Sequence, residues 1–134
     1  MIKLLKNADL YTPEHVGICD ILLAGSRIMT IGPQARIYEG LLGVEAFDLE
    51  NAVTVPGLVD LHVHITGGGG EQGPSSRVPE ITLTQLTLNG VTTALGLLGT
   101  DGVTRSQENL LAKCRALNDE GLTCRMLAGA YQVP

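Results

Sequence analysis

The chain has 134 residues, 44% hydrophobic and 17% charged, with a formal net charge of −5 at pH 7. That mixture is too apolar for a disordered segment. The acidic balance, the absence of Trp and the single Phe leave neither a basic footprint nor stacking aromatics, which excludes a nucleic-acid partner.

Two stretches raise a membrane or export question, and both answer no. MIKLLKNADLY is broken by Asn7 and Asp9 too early for a signal peptide. The uncharged run Ile81–Thr100 is punctuated by threonines, Gln85 and Asn89, so it reads as a buried helix–strand pair of a soluble protein, with no membrane partner. Cys19, Cys114 and Cys124 are odd in number and contain no C-x-x-C. They read as small core hydrophobes in a reducing cytoplasm.

In chain order, residues 1–55 read as short strands joined by turns. Ile18–Leu23 and Arg27–Ile31 form a hairpin about Ala24-Gly25-Ser26, stopped by Gly32-Pro33, and Val44–Leu49 is a further strand. So small a meander buries little alone and calls for strands from elsewhere. His15, in a turn with Pro13 and Gly17, is given no role. At Pro56-Gly57 the pattern changes. Leu58–Ile65 is apolar on both faces, as a covered parallel strand should be. The glycine loop Gly67–Gly73 follows, then a helix over Pro79–Asn89 stopped by Gly90, and a second buried strand from Val91. A better-marked helix is capped by Thr104 or Ser106, carries Leu110, Cys114 and Leu117 on one stripe widened by Leu111, and ends at Gly121. Leu122–Ala130 is a third strand. The βαβαβ order predicts an α/β fold with a parallel sheet. A closed (β/α)₈ barrel takes roughly 250 residues, about 31 per unit, so residues 56–134 hold two to three units and predict the front part of a larger protein.

The sharpest chemical feature is His62-Val63-His64. Residues i and i+2 of a strand share a face, so both imidazoles project together, near the strand end where barrel enzymes keep their sites. Paired neutral imidazoles are good ligands for zinc and similar ions. Asp60, at i−2, is placed to orient a histidine. His-x-His alone is a common pattern; the buried strand before it and the glycine loop after it give it weight. The loop's glycines allow close backbone approach to a ligand, and Glu71 at its end is either a partner for an ammonium group or a solvated charge. Thr100 and Tyr131 follow the second and third strands on the same face, where a hydroxyl can meet a carboxylate or a developing oxyanion.

Pro56-Gly-Leu-Val-Asp-Leu-His-Val-His resembles the opening strand of the amidohydrolase superfamily, metal-dependent hydrolases on a (β/α)₈ barrel with a small β-sandwich built from both chain ends. His62–Glu71, Gly96–Asp101, Leu111–Asn118 and Leu127–Pro134 are similar to the isoaspartyl dipeptidase family in particular. The resemblance implies that 1–55 belong to the β-sandwich domain and 56–134 to the first two to three βα units of the barrel. It also implies a binuclear zinc cofactor, with His62 and His64 binding the more buried ion, and a small isoaspartyl dipeptide as substrate. Glu71 would hold the substrate's free α-amino group and Gly69 would add a backbone contact. Thr100 would touch the dipeptide, and Tyr131 would polarise the scissile carbonyl as the catalytic residue of this stretch. The full-length protein would be a homo-oligomer. The family's bridging carboxylated lysine, two further histidines and its aspartate base lie past the third strand, so these 134 residues alone are expected to be inactive. Gln132 stands where the family commonly has His. Two other readings stand beside this one: a cyclic-amide hydrolase of the dihydroorotase or hydantoinase type, and a non-catalytic truncated scaffold.

Overall fold

Strict alternation along the first strand would keep Leu4, Ala8 and Leu10 on one face. In the computed structural model, which describes residues 1–129, it does not. Strand β1 (Ile2–Tyr11) pairs antiparallel with β2 (His15–Ala24), with Leu5 opposite Ile21 but Ala8 opposite Cys19. One extra residue in β1 is a bulge, and Asn7 absorbs it at φ 54°. The faces exchange there: Leu4 packs with Leu22 and Ala35, whereas Ala8 and Leu10 pack with Ile21. Asp20, 5% exposed, lies across from the bulge and accepts from the Asn7 amide at 3.0 Å. It also accepts from Arg36 Nε at 2.6 Å and Nη2 at 2.8 Å. The Arg36 hydrogen bonds are the main cause that holds the Asp20 carboxyl below its ordinary value.

This unit, Met1–Pro56, is a five-stranded sheet. Strand β3 (Arg27–Ile31) continues the antiparallel order from β2, through the hairpin expected at Gly25. Strands β4 (Val44–Asp48) and β5 (Val53–Thr54) both run parallel to β1.

The unit that begins at Gly57 has a three-stranded parallel sheet in the order β6 (Leu58–Val63), β7 (Val91–Gly96), β8 (Thr123–Met126). Helices α1 (Leu83–Thr87) and α2 (Gln107–Asp119) lie in the two crossovers. The fold class read from the sequence therefore stands: α/β, with a βαβαβ run of the kind that opens a barrel. Its core joins Val63 and Ile65 to Leu86, Leu98, Leu110 and Leu117.

Three local expectations change. Strand β6 is not covered on both faces: Leu58, Val59 and Leu61 are 54%, 58% and 68% exposed, because little packs over their side chains on either face of this edge strand. Helix α1 is shorter than Pro79–Asn89. The Val78 amide donates to Gly68 at 2.8 Å and the Ile81 amide to Ile65 at 3.3 Å, which keeps 78–81 extended. The helix starts only where Thr82 and Gln85 form a capping box. In α2 the cap is Ser106, which accepts from the Asn109 amide at 3.2 Å; Leu110, Cys114 and Leu117 are buried, but Leu111 is 39% exposed. Asn118 then stitches α2 to β8, donating to Cys124 O at 2.9 Å and accepting from its amide at 3.1 Å. Burial is the main cause that pushes the Cys124 thiol up to about 12, so it stays a protonated core group. Among the described residues, no helix is long and apolar enough to cross a membrane.

Candidate functional site

His62 is the next-to-last residue of β6 and His64 lies just beyond the strand. Their ring centres are 5.2 Å apart and the planes meet at 78°. Two imidazoles that hold one tetrahedral ion through nitrogens at ~2.1 Å have ring centres roughly 5 Å apart, so the pair fits one ion. His64 is half-buried, and its Nδ1–H donates to the Leu97 carbonyl at 3.2 Å. That bond leaves Nε2 as the lone-pair nitrogen, the tautomer a ligand needs. The ring is set between two glycines: a Cβ at Gly68 would lie 3.4 Å from its Cδ2, and one at Gly99 3.5 Å. Asp60 does not orient a ring. Its Oδ1 accepts from the His62 backbone amide at 3.0 Å, where the pairing of β6 with β7 is irregular. Among the described residues, no third His, Cys, Asp or Glu joins the two imidazoles in a group able to hold a metal. Two imidazoles alone fall short of the three protein ligands that a catalytic zinc ion usually takes.

The glycine loop is held from beneath by a residue that the sequence reading missed. Arg105 is 5% exposed; its Nη1 donates to Gly68 O at 3.0 Å and Gly69 O at 3.5 Å, and its Nη2 to Val78 O at 2.7 Å. Gly67, at φ 91°, is required here, because a Cβ would overlap the Val78 carbonyl oxygen. A cation immediately before the cap of α2 opposes the helix dipole, and that misplaced charge is the signal that could have found Arg105. Asp101 faces the same cluster, with its Oδ2 3.8 Å from Arg105 Nη1 and 3.4 Å from Arg77 Nε. Hydrogen bonds from the Thr104 hydroxyl, then from the Thr104 and Val103 amides, hold its carboxyl below the usual range.

A cleft of about 660 Å³ opens beside the histidines, lined by His62, His64, Gly67, Gly68, Pro79 and Gln85 among others. Gly69 sits at φ 69°, where a Cβ would overlap the Ser76 carbonyl. Glu71 and Thr100 are exposed, on the loops after β6 and β7, outside the lining of that cleft. Tyr131 lies outside the described residues.

No protein-family model matches the chain. Among solved structures, it is similar to β-aspartyl dipeptidase from Fervidobacterium islandicum AW-1. Identity is 43% and the TM-score 0.89, over 100% of this chain and 36% of that one. The same enzyme in complex with β-Asp-Leu dipeptide gives 44% identity and a TM-score of 0.86, over 100% and 34%. A D-hydantoinase from Thermus sp. gives 26% identity and a TM-score of 0.54, over 71% and 20%. Among curated proteins, the chain is 35% identical over 69 residues to dihydroorotase from Lactobacillus johnsonii, covering 52% of this chain and 15% of that protein. The chain thus spans about a third of the dipeptidase it matches from end to end.

Proposed function

We propose, from a chain similar along its whole length to the β-aspartyl dipeptidases of the amidohydrolase superfamily, that it serves as part of an enzyme that hydrolyses isoaspartyl dipeptides. The observation that carries this reading is 43% identity over all 134 residues, with the His62–His64 pair set at the end of a parallel strand. Likeness to a dipeptidase bound to β-Asp-Leu supports a small dipeptide as substrate.

In this reading His62 and His64 hold a divalent ion, zinc by proposal. Such an ion, when bound, lowers the pKa of water and polarises a carbonyl. The chain's own residues bind and orient. The Leu97 carbonyl keeps His64 Nε2 free to coordinate. Glu71 accepts from the dipeptide's ammonium group, Gly69 offers backbone contact, and Thr100 hydrogen-bonds the dipeptide from the neighbouring loop. Tyr131 donates its hydroxyl to the oxygen that gains charge as the carbonyl is attacked.

The test is hydrolysis of β-Asp-Leu by the full-length protein, set against a hydantoin and dihydroorotate, with metal analysis. Cleavage of the dipeptide, about two zinc ions per chain and idle cyclic amides support the assignment. Ring opening without dipeptide cleavage overturns it in favour of a cyclic-amide hydrolase, the reading that the dihydroorotase likeness over 52% of the chain favours. The 134 residues alone are expected to show no turnover, since two imidazoles make an incomplete catalytic site.

A further inference from the structure

The dipeptidase reading assigns substrate contacts to two separate loops, Gly69 and Glu71 after β6 and Thr100 after β7. We propose that Arg105 is the positioning residue that fixes these loops against each other, and that substrate affinity depends on it through the loops. The inference rests on that reading for its substrate and on the geometry for its mechanism.

Four glycines in a row have more conformations to lose on ordering than any other tetrapeptide, so such a loop holds one shape only if something outside it does the holding. Arg105 does so with one planar group. Its guanidinium donates to Gly68 O and Gly69 O at 3.0 and 3.5 Å on one side and to Val78 O at 2.7 Å on the other, which ties the two ends of the loop together. The same group faces Asp101 Oδ2 at 3.8 Å, and Asp101 is the neighbour of Thr100. Arg77, from the far end of the glycine loop, reaches the same carboxylate oxygen at 3.4 Å. The two loops also lie close together: a Cβ added at Gly70 would be only 3.4 Å from Asp101 Cβ. The sequence makes room for this arrangement, since a side chain at Gly67 would overlap the Val78 carbonyl and come within 2.8 Å of Arg105 Nη2. A lysine would keep the charge but not the fork, and could not reach both sides at once.

Arg105→Lys in the full-length protein tests the claim with two readouts. Amide hydrogen exchange across residues 67–78, measured without substrate, is expected to quicken roughly tenfold. KM for β-Asp-Leu is expected to rise about tenfold, while kcat stays within roughly threefold and bound metal is unchanged. Unchanged exchange overturns the positioning role. Faster exchange with an unchanged KM, or a fall in kcat and metal content at constant KM, overturns the link to substrate. A wild-type protein that leaves β-Asp-Leu intact sinks the dipeptidase reading, and with it the substrate half, while the exchange result still judges the loop half. Should Arg105→Lys fail to fold, Asp101→Asn cuts the bridge between loops and leaves the carbonyl contacts. The same two shifts, smaller, are then expected, and their absence overturns the proposal.

Discussion

Among the described residues, each unit buries one charged side chain, and the two are stabilised by different means. Asp20 and Arg105 are both 5% exposed. The aspartate is met by an opposite charge, Arg36, and by the amide of the bulge at Asn7. The arginine is met mainly by neutral carbonyl oxygens, with Asp101 at the longer distance of 3.8 Å. A carboxylate paired with a guanidinium closes a defect in a strand and leads nowhere further. A guanidinium spread over carbonyls shapes a loop of glycines, and that loop borders the cleft beside the histidines. The nature of the partner therefore separates a charge that repairs the fold from one that prepares a site.

Removing each charge sharpens the contrast. Arg105→Met removes the side-chain donor to the carbonyls of Gly68, Gly69 and Val78, of which Gly68 keeps only the Val78 amide, and a loss of about 3–5 kcal/mol in unfolding free energy is expected by denaturant titration. Asp20→Asn keeps the shape and one acceptor, and about 1–3 kcal/mol is expected by the same measurement. Its pH signature is separate. Asp20 has a depressed carboxyl value in the folded state, so its contribution is complete above the unfolded value of about 4 and is lost as pH falls through the lower folded value. Amide exchange in β1 and β2 should therefore quicken below about pH 4, and Asp20→Asn should flatten that dependence. Ser106→Ala, which removes only the cap of α2, should cost about 1 kcal/mol and leave the pH profile alone.

What could be read in advance was whatever short-range chemistry decides. The Gly25 hairpin, a cap of α2 at one of two hydroxyls (Ser106 rather than Thr104) and the buried stripe of α2 follow from neighbours within a few residues. His62 and His64 on one strand face follow from a period of two. The bulge at Asn7 was hidden because it depends on Asp20 and Arg36, partners distant in sequence. The late start of α1 was hidden for the same reason: residues 78–81 are held by carbonyls of the loop after β6. Arg105 was not singled out, since its value lies in three backbone oxygens far from it along the chain. Leu58, Val59 and Leu61 promised a covered strand, but composition does not say what packs over a face, and they are left largely exposed.

The bond from His64 to the Leu97 carbonyl makes the alignment of two strands part of imidazole chemistry. Backbone carbonyls alternate in direction along a strand, so a slip of one residue between β6 and β7 would turn the acceptor away and free the proton to sit on either ring nitrogen. Sheet alignment thus works as a gauge for proton placement. A fault several residues upstream in the pairing would turn the ring so that it offers hydrogen where the proposed metal role needs a lone pair.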